Sequence, residues 1–216
     1  GRWPVGAKVP SENEMVELFK VSRMTARRAL QELTDEGVLT RTQGLGTFVA
    51  EPKPQSNLLE IRNIAEEVAA RGHAHACEIH ALRAERASHD VARSLGLADG
   101  ATVFHSVIVH KENDKAVQLE SRYVNPDWAP DYLAQDFTRT TPNVYLSRVA
   151  PLTEAEHLIE AVLPDIQAQQ LLHVQAVEPC LLLRRTTWSG EHVVSVARLI
   201  HPGSRYRFGS RFKTNQ

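Results

Sequence analysis

The spacing of hydrophobic positions along the chain predicts two regions that are built differently. Near the start, apolar residues recur every three to four positions, which is the repeat of amphipathic helices. A first run follows Ser11, and a second, Arg23–Asp35, follows Ser22; both serines suit helix N-caps. Two β-prone runs come next, Val38–Thr42 and Thr47–Val49, with glycines between them for a tight reversal. This order of elements predicts a winged helix-turn-helix.

The second region alternates between strand-like and helix-like patterns. A helical repeat from Leu58 to Ala69, stopped by Gly72, opens it. Four alternating segments then predict strands, and two short segments predict helices: Ala101–His110, Ala116–Tyr123, Cys180–Trp188 and His192–His201 for the strands, and Ser88–Gly96 and Asp165–His173 for the helices. The order repeats after 76 residues, with Arg122 and Arg198 at matching positions. We therefore expect an α+β domain whose antiparallel sheet has pseudo-twofold symmetry.

Residues 51–57 predict a linker between the two regions. Their sequence, EPKPQSN, contains two prolines with polar neighbours, which disfavours both helix and central strand. The expected domains are thus residues 1–50 and residues 58–216.

Composition narrows the class of protein. The chain has 216 residues, of which 42% are hydrophobic, so it can bury a core without disulfides or metals. Its two cysteines, Cys77 and Cys180, are too few for a disulfide framework. The sequence contains neither a signal-peptide pattern nor an apolar run near the roughly 20 residues of a membrane helix. We expect a cytoplasmic protein that does not associate with membranes.

The net charge of each region is too small to give strong non-specific attraction to nucleic acid. Net charge is −1 overall, about +1 for residues 1–53 (8 basic, 7 acidic) and −2 for the rest (17 basic, 19 acidic). The basic signal is confined to Lys20–Arg28 and Arg41. Arg23 and Arg27 stand one turn apart on one edge of the second helix, where they suit phosphates and guanine. Any specificity for DNA would therefore depend on a few arginines.

Three motifs in the first region resemble the DNA-binding domain of the GntR family of bacterial transcription regulators: Trp3–Glu12, Val21–Leu30 and Gln43–Val49. The resemblance implies that the partner is double-stranded operator DNA, bound by a homodimer. Residue by residue, it implies the following DNA contacts: Ser22, Arg23, Thr25 and Arg27 on the recognition helix, and Gln43 and Gly44 at the wing tip. The helix that precedes the Trp3 motif in that family is not in this sequence, so we expect Met15, Leu30 and Leu33 to lose apolar shielding.

The second region resembles the UTRA effector domain, which has a chorismate-lyase-like fold. The motifs that carry the resemblance are Leu119–Tyr123 and Gly203–Phe208. With the first region, they indicate the HutC subfamily of GntR regulators, in which a small ligand controls DNA binding.

Two further features of the sequence indicate the chemical class of the ligand. Subfamily members that bind phosphosugars carry paired arginines where this chain has Ile108 and His110, which disfavours a phosphorylated effector. The stretch Asn57–Glu67 is similar to members that regulate histidine utilisation, whose inducer is urocanate. Urocanate needs an arginine for its carboxylate and an acceptor for its ring N–H. The candidates are Arg122 and Arg198 for the carboxylate, and His110, Glu120, Ser195 and Tyr206 for the ring.

Several alternatives remain open. Another small carboxylate or a sugar would suit the same regulator. A protein of another class, a chorismate-lyase-like enzyme fused to a DNA-binding domain, would have the same architecture, but no catalytic motif is present and we expect no enzyme activity. We expect no cofactor. The cluster His73, His75, Cys77 and His80 suggests zinc, but alternate residues of one strand rarely complete a tetrahedral site, so we expect no metal.

Overall fold

The computed structural model describes residues 3–50 and 62–209, together with the backbone of residues 55–56. The chain divides into two compact units, the first ending at Pro54 and the second beginning at Gln55. The predicted linker, residues 51–57, lies outside the described residues except for that short backbone segment, and its boundaries stay a prediction. Within the described ranges, no helix has the length and apolarity needed to cross a lipid bilayer.

The helices of the first unit follow the sequence prediction closely. Helix α1, Glu12–Phe19, begins with a capping box in which Ser11 accepts from the backbone of Glu14 and the Glu14 carboxylate accepts in return. Helix α2 spans Arg23–Asp35 after the Ser22 cap, as predicted. The winged helix-turn-helix is confirmed because polar caps and apolar spacing, both local signals, determine these ends.

A two-stranded hairpin completes the first unit. Strands β1, Leu39–Thr42, and β2, Gly46–Val49, pair antiparallel, with Thr42 opposite Gly46. The small core consists of Val9, Leu30 and Leu39, with Met15 and Val49 packed against it. Of the residues expected to lose shielding, Leu30 is buried and Met15 is half-buried, but Leu33 is 36% exposed.

The second unit is an α+β domain around a six-stranded antiparallel sheet. The six strands of this sheet are β4 (His75–Arg86), β5 (Thr102–Glu112), β6 (Lys115–Val124), β7 (Glu154–Val162), β8 (Cys180–Ser189) and β9 (His192–Pro202). Two short strands, β3 (Gln55–Ser56) and β10 (Arg207–Phe208), form a separate parallel pair. The helices of the second unit are α3 (Ile64–Ala70), α4 (His89–Leu95), α5 (Pro142–Val149) and α6 (Ile166–Leu172), with a 3₁₀ turn at Tyr132–Ala134. Helix α3 begins only at Ile64, because Asn63 is extended and caps it, so the predicted helical stretch from Leu58 is wrong at residues 62–63; residues 58–61 lie outside the described ranges.

The strand order confirms a sheet built from two similar halves. The six long strands follow the order β4-β5-β6-β9-β8-β7, so that β6 and β9 meet at the centre. Each half contains an edge strand, a short helix and a hairpin. The four predicted strands and two predicted helices are present, with ends that differ from the prediction by at most two residues; β4, β7 and α5 were not among the predicted elements.

The two faces of the sheet carry different layers. Helices α4 and α6 cover one face, where Leu172 and Ala168 of α6 pack on an apolar cluster that includes Leu182 and Ile200. The opposite face is covered by α3, α5 and the 3₁₀ turn. We call this second face the polar face, because it carries the buried charged groups described below.

Candidate nucleic-acid interface and ligand cavity

The start of α2 presents the predicted DNA-binding side chains to solvent. The backbone N–H of Thr25 donates to Oγ of Ser22 at 3.1 Å, and the two hydroxyls are 2.8 Å apart. Arg23 and Arg27 are exposed, and Arg23 Nε lies 3.6 Å from a carboxylate oxygen of Glu12. Such an exposed pair contributes little stability, so the arginine is available to a ligand.

Four cationic side chains meet in a concave surface between α1, α2 and the hairpin. They are Lys8, Arg23, Arg27 and Arg41, and the depression they line encloses about 280 Å³. Lys8 and Arg41 were not among the predicted contacts. They come together with α2 because Lys8 bridges to Phe48 of β2 and Arg41 lies on β1. A concave cationic surface of this kind suits a phosphate backbone.

The turn of the hairpin depends on two glycines. Gly44 has φ +78° and Gly46 has φ +122°, a region that residues with a Cβ rarely adopt. A Cβ at Gly46 would also lie 2.8 Å from the side chain of Lys8. The predicted tip residues Gln43 and Gly44 are exposed on this turn.

A small cavity lies on the polar face of the sheet in the second unit. It has a volume of about 30 Å³ and is lined by Arg62, Asn63, Ile64, Glu67, Gln118, Glu120, Arg122, Thr141, Asn143, Leu183, Arg185, Leu199, His201, Tyr206 and Phe208. This volume holds about one water molecule, so any larger ligand requires the walls to move. Three of the predicted effector residues, Glu120, Arg122 and Tyr206, line it.

A buried ion pair forms the floor of the cavity. Arg122 Nε donates to Glu120 at 2.7 Å, and Arg122 Nη1 donates to Oγ of Ser195 at 2.9 Å. Thr187 Oγ1 lies 2.8 Å from the same Ser195 oxygen. Burial alone would raise the pKa of Glu120, but the Arg122 guanidinium outweighs it and holds that pKa well below its usual range. Glu120 and Arg122 are therefore both charged at neutral pH.

Predicted residue His110 lies beside this pair. Its Nε2 is 3.5 Å from Oε2 of Glu120, an electrostatic contact too long for a well-formed hydrogen bond, and its Nδ1 is 3.1 Å from Nε2 of His75. Burial, and secondarily His110, lower the pKa of His75 to about 4. The chain from His75 to Ser195 thus connects four strands of the polar face.

Two polar atoms in the cavity wall have no hydrogen-bond partner among the described residues. They are Nη2 of Arg122, a donor, and Oε1 of Gln118, an acceptor. Buried polar atoms are almost always paired in folded proteins, so each of these calls for a partner. A ligand that carries both an anionic acceptor and an N–H donor would supply both.

Of the two remaining effector candidates, Tyr206 lies in the cavity wall and Arg198 lies on the opposite face of the sheet. Tyr206 donates its O–H to Glu67 of α3 and stacks on His201 with ring centroids 4.2 Å apart. Arg198 is exposed, and its neighbour in the chain, Ala197, pairs with Arg122 across the strands. Because successive strand residues point to opposite faces, Arg198 lies on the face opposite the cavity. The structure therefore does not bring Arg198 together with the other effector candidates.

Several cavity residues were not predicted from the sequence, among them Gln118, Arg185 and His201. Arg185 is buried, and its Nε donates to Nε2 of His157 at 2.8 Å. The pair Arg184–Arg185 does carry a signal, because one of two consecutive arginines in a strand must face inward. Deciding which one requires the register.

The histidine and cysteine cluster does not assemble. Among the described residues, no three His, Cys, Asp or Glu side chains are grouped so that they could hold a metal ion. His73 Nδ1 is engaged by Glu112 at 2.7 Å, while Cys77 donates to the Phe137 carbonyl. Burial raises the pKa of Cys77, so its thiol is not activated.

Comparison with known proteins agrees with both units. Residues 1–49 match the sequence family described as bacterial regulatory proteins, gntR family, and residues 70–207 match the UTRA domain. The histidine utilization repressor of Pseudomonas putida is 57% identical over 212 residues, which cover 98% of this chain and 86% of that protein. Similar relatives are named repressors and not enzymes, which confirms the expectation of a regulator.

Two solved structures extend the comparison. The C-terminal domain of the histidine utilization repressor from Pseudomonas syringae pv. tomato has a TM-score of 0.64 and 54% identity, and covers 65% of this chain and 100% of that chain. PhnF from Mycobacterium smegmatis has a TM-score of 0.74 and 27% identity, and covers 98% of this chain and 94% of that chain. The UTRA match covers more than half of the chain, and the gntR match covers residues 1–49. Together with the 57% identity to a histidine utilization repressor, they show that the chain belongs to the GntR family of bacterial regulatory proteins.

Proposed function

We propose that the chain is a cytoplasmic, homodimeric, DNA-binding repressor of histidine-utilisation genes, and that urocanate releases it from its operator. The observation that carries the proposal is 57% identity, over 98% of the chain, to a protein named as a repressor of histidine utilisation. The geometry of both candidate sites fits this role.

In the proposed complex, α2 enters the major groove of the operator. Arg23 and Arg27 read base edges or phosphates, Ser22 and Thr25 contact the backbone at the N-terminus of the helix, and the Gln43–Gly44 turn lies along the adjacent groove. The exposure of these residues and the convergence of Lys8 and Arg41 on the same concave surface support this arrangement. A dimer would present two such helices to a pseudo-palindromic operator.

Urocanate would bind in the cavity on the polar face. Its carboxylate would accept from Nη2 of Arg122, and its imidazole N–H would donate to Oε1 of Gln118, which satisfies both unpartnered atoms. Glu120 would hold Arg122 in place, and His110 and Ser195 would support that pair from either side. Among the candidates drawn from the sequence, Arg198 has no part in this binding mode.

The residues of the cavity wall suggest how binding of a ligand would affect the DNA-binding unit. Asn63 caps α3 and Glu67 lies in the middle of that helix, while Tyr206 precedes β10 and Phe208 belongs to it. Strand β10 pairs with β3, Gln55–Ser56, which directly follows the boundary at Pro54. A ligand that enlarges the cavity would thus displace the segments next to the connection between the units.

The test is a fluorescence-anisotropy titration with DNA from upstream of a histidine-utilisation operon, with and without urocanate. A coupling of about 1–3 kcal/mol would weaken operator binding roughly 5–150-fold. Arg23→Ala should abolish specific binding and keep urocanate affinity; Arg28→Ala, whose side chain pairs with Glu32, is the matched control. If Arg23→Ala bound the operator as well as the control, the assignment of the recognition helix would be wrong.

A further inference from the structure

Arg185 is a second buried arginine in the cavity wall, and the binding mode above leaves it unused. It is 8% exposed, and its hydrogen bond to His157 gives it no negative partner. Among the described residues, no Asp or Glu oxygen lies within 4.0 Å of its guanidinium, whereas Arg122 has Glu120 at 2.7 Å. Glu120 and Glu67 attract Arg185 only from beyond ion-pair distance, so the cost of burying its charge is incompletely offset.

The strand register places Arg185 next to Arg122. On the polar face, Arg122 of β6 and Arg185 of β8 both pair with Ala197 of β9, one from each side. With neighbouring strands about 4.8 Å apart, their Cα atoms are about 10 Å apart. Ala197 itself is buried in a cluster with Leu183 and Leu199, which line the cavity. Burial, and then repulsion from Arg122, lower the pKa of Arg185 to about 10, so it stays protonated at neutral pH.

We infer that Arg185 is the principal anion-binding residue of the cavity and that, together with Nη2 of Arg122, it holds one ligand carboxylate between the two guanidinium groups. This inference rests on the proposed function only in taking the cavity as the effector site. It assigns specificity for a small monocarboxylate to a residue that is itself unnecessary for folding.

The charges around the cavity favour a monoanion over a dianion. Three arginines, Arg62, Arg122 and Arg185, and two carboxylates, Glu120 and Glu67, line the cavity. His201 adds no positive charge at neutral pH, because burial lowers its pKa to about 3. One ligand carboxylate therefore balances the charge of the lining, whereas a phosphate dianion would leave one uncompensated negative charge. A small planar acid with one carboxylate fits these charges best.

The test compares Arg185→Met with Arg184→Met in the full chain. Arg184 is the matched control, since it points to the opposite face, is about half exposed and pairs with Glu160 at 2.7 Å. Calorimetry with urocanate should show at least about 30-fold weaker binding for Arg185→Met and less than about threefold for Arg184→Met. Urocanate methyl ester, which lacks the charge, should bind the wild type and Arg185→Met with similar affinity.

Stability distinguishes a binding role from a structural one. Because Arg185 forms no close ion pair, Arg185→Met should have the same thermal midpoint as the wild type or a higher one, while its midpoint no longer rises with urocanate. Ala197→Val keeps both arginines but adds bulk to the strand position between them, so it should weaken urocanate binding by about tenfold or more. A large loss of midpoint, or failure to fold, in Arg185→Met would contradict the inference.

The remaining outcomes separate this inference from the identity of the effector. If the wild type binds cinnamate or imidazolepropionate but not urocanate, and Arg185→Met loses that binding, urocanate is the wrong effector and the role of Arg185 stands. If Arg185→Met binds urocanate within threefold of Arg184→Met, the role of Arg185 is wrong and the effector stands. If the wild type binds none of these monocarboxylates, both are wrong.

Discussion

His201 should make the second unit less stable in mild acid than at neutral pH. The imidazole is buried between Tyr206 and Phe208, and its Nδ1 lies 3.1 Å from the carbonyl oxygen of Val117. In the neutral ring this nitrogen donates to the carbonyl. Burial lowers the pKa of His201 from 6.5 to about 3, so the folded protein keeps the ring neutral where the unfolded chain protonates it.

The sign and size of the effect follow from proton linkage. Between about pH 3 and 6.5 the unfolded chain binds one more proton at this site than the folded protein, so the free energy of unfolding falls as the pH falls. Each pH unit in this window costs about 1.36 kcal/mol. Going from pH 7.5 to pH 5 should therefore remove about 2 kcal/mol, and any folded pKa below about 4 gives nearly the same value.

The matched variant is His201→Asn, which keeps a donor to the Val117 carbonyl and cannot titrate. Urea unfolding at pH 7.5 and pH 5, followed by the fluorescence of Trp128 and Trp188, gives the free energy of unfolding for each protein. The loss between the two pH values should be about 2 kcal/mol larger for the wild type than for the variant. All other titrating groups are shared and cancel in this difference.

A difference below about 0.5 kcal/mol would refute the reasoning, because it would mean that the folded protein protonates His201 nearly as easily as the unfolded chain does. A difference of opposite sign would mean that the folded state prefers the charged ring. Either result would require water or a carboxylate next to His201, and would remove it from the neutral wall of the cavity.

Three further predictions concern the ion pair and the DNA-binding unit. Glu120→Ala should destabilise the second unit by about 3–5 kcal/mol in urea unfolding, because it leaves buried Arg122 unpaired; the double variant with Arg122→Met should recover part of this loss. Ser22→Ala should lower the stability of the first unit by about 0.5–2 kcal/mol, measured by circular dichroism, through loss of the cap on α2, whereas Ser22→Gly should cost only a few tenths. Gly46→Ala should cost about 1–3 kcal/mol because of its positive φ, and should weaken operator binding in a gel shift by displacing Lys8; unchanged affinity would show that the position of Lys8 does not matter.

Local signals in the sequence were enough to predict most elements. Helix α2 begins and ends where the Ser22 cap and the apolar spacing predict, because capping and amphipathic burial involve residues only a few positions apart. The strands around Arg122 and Arg198 were predicted from alternation, and their repeat indicated the two halves of the sheet. Strand β7, Glu154–Val162, was missed, since as an edge strand it is mostly exposed and lacks a clear alternation of buried positions.

Only the tertiary structure decided which side chains meet in the cavity. A sequence repeat makes Arg122 and Arg198 look equivalent, but the register that pairs Arg122 with Ala197 sends them to opposite faces and brings in Arg185 instead. Register depends on contacts between strands that are far apart in the chain, and a shift of one residue exchanges the faces. The sequence therefore determined the elements and the family, while the pairing of β6, β9 and β8 determined which arginines can hold a ligand.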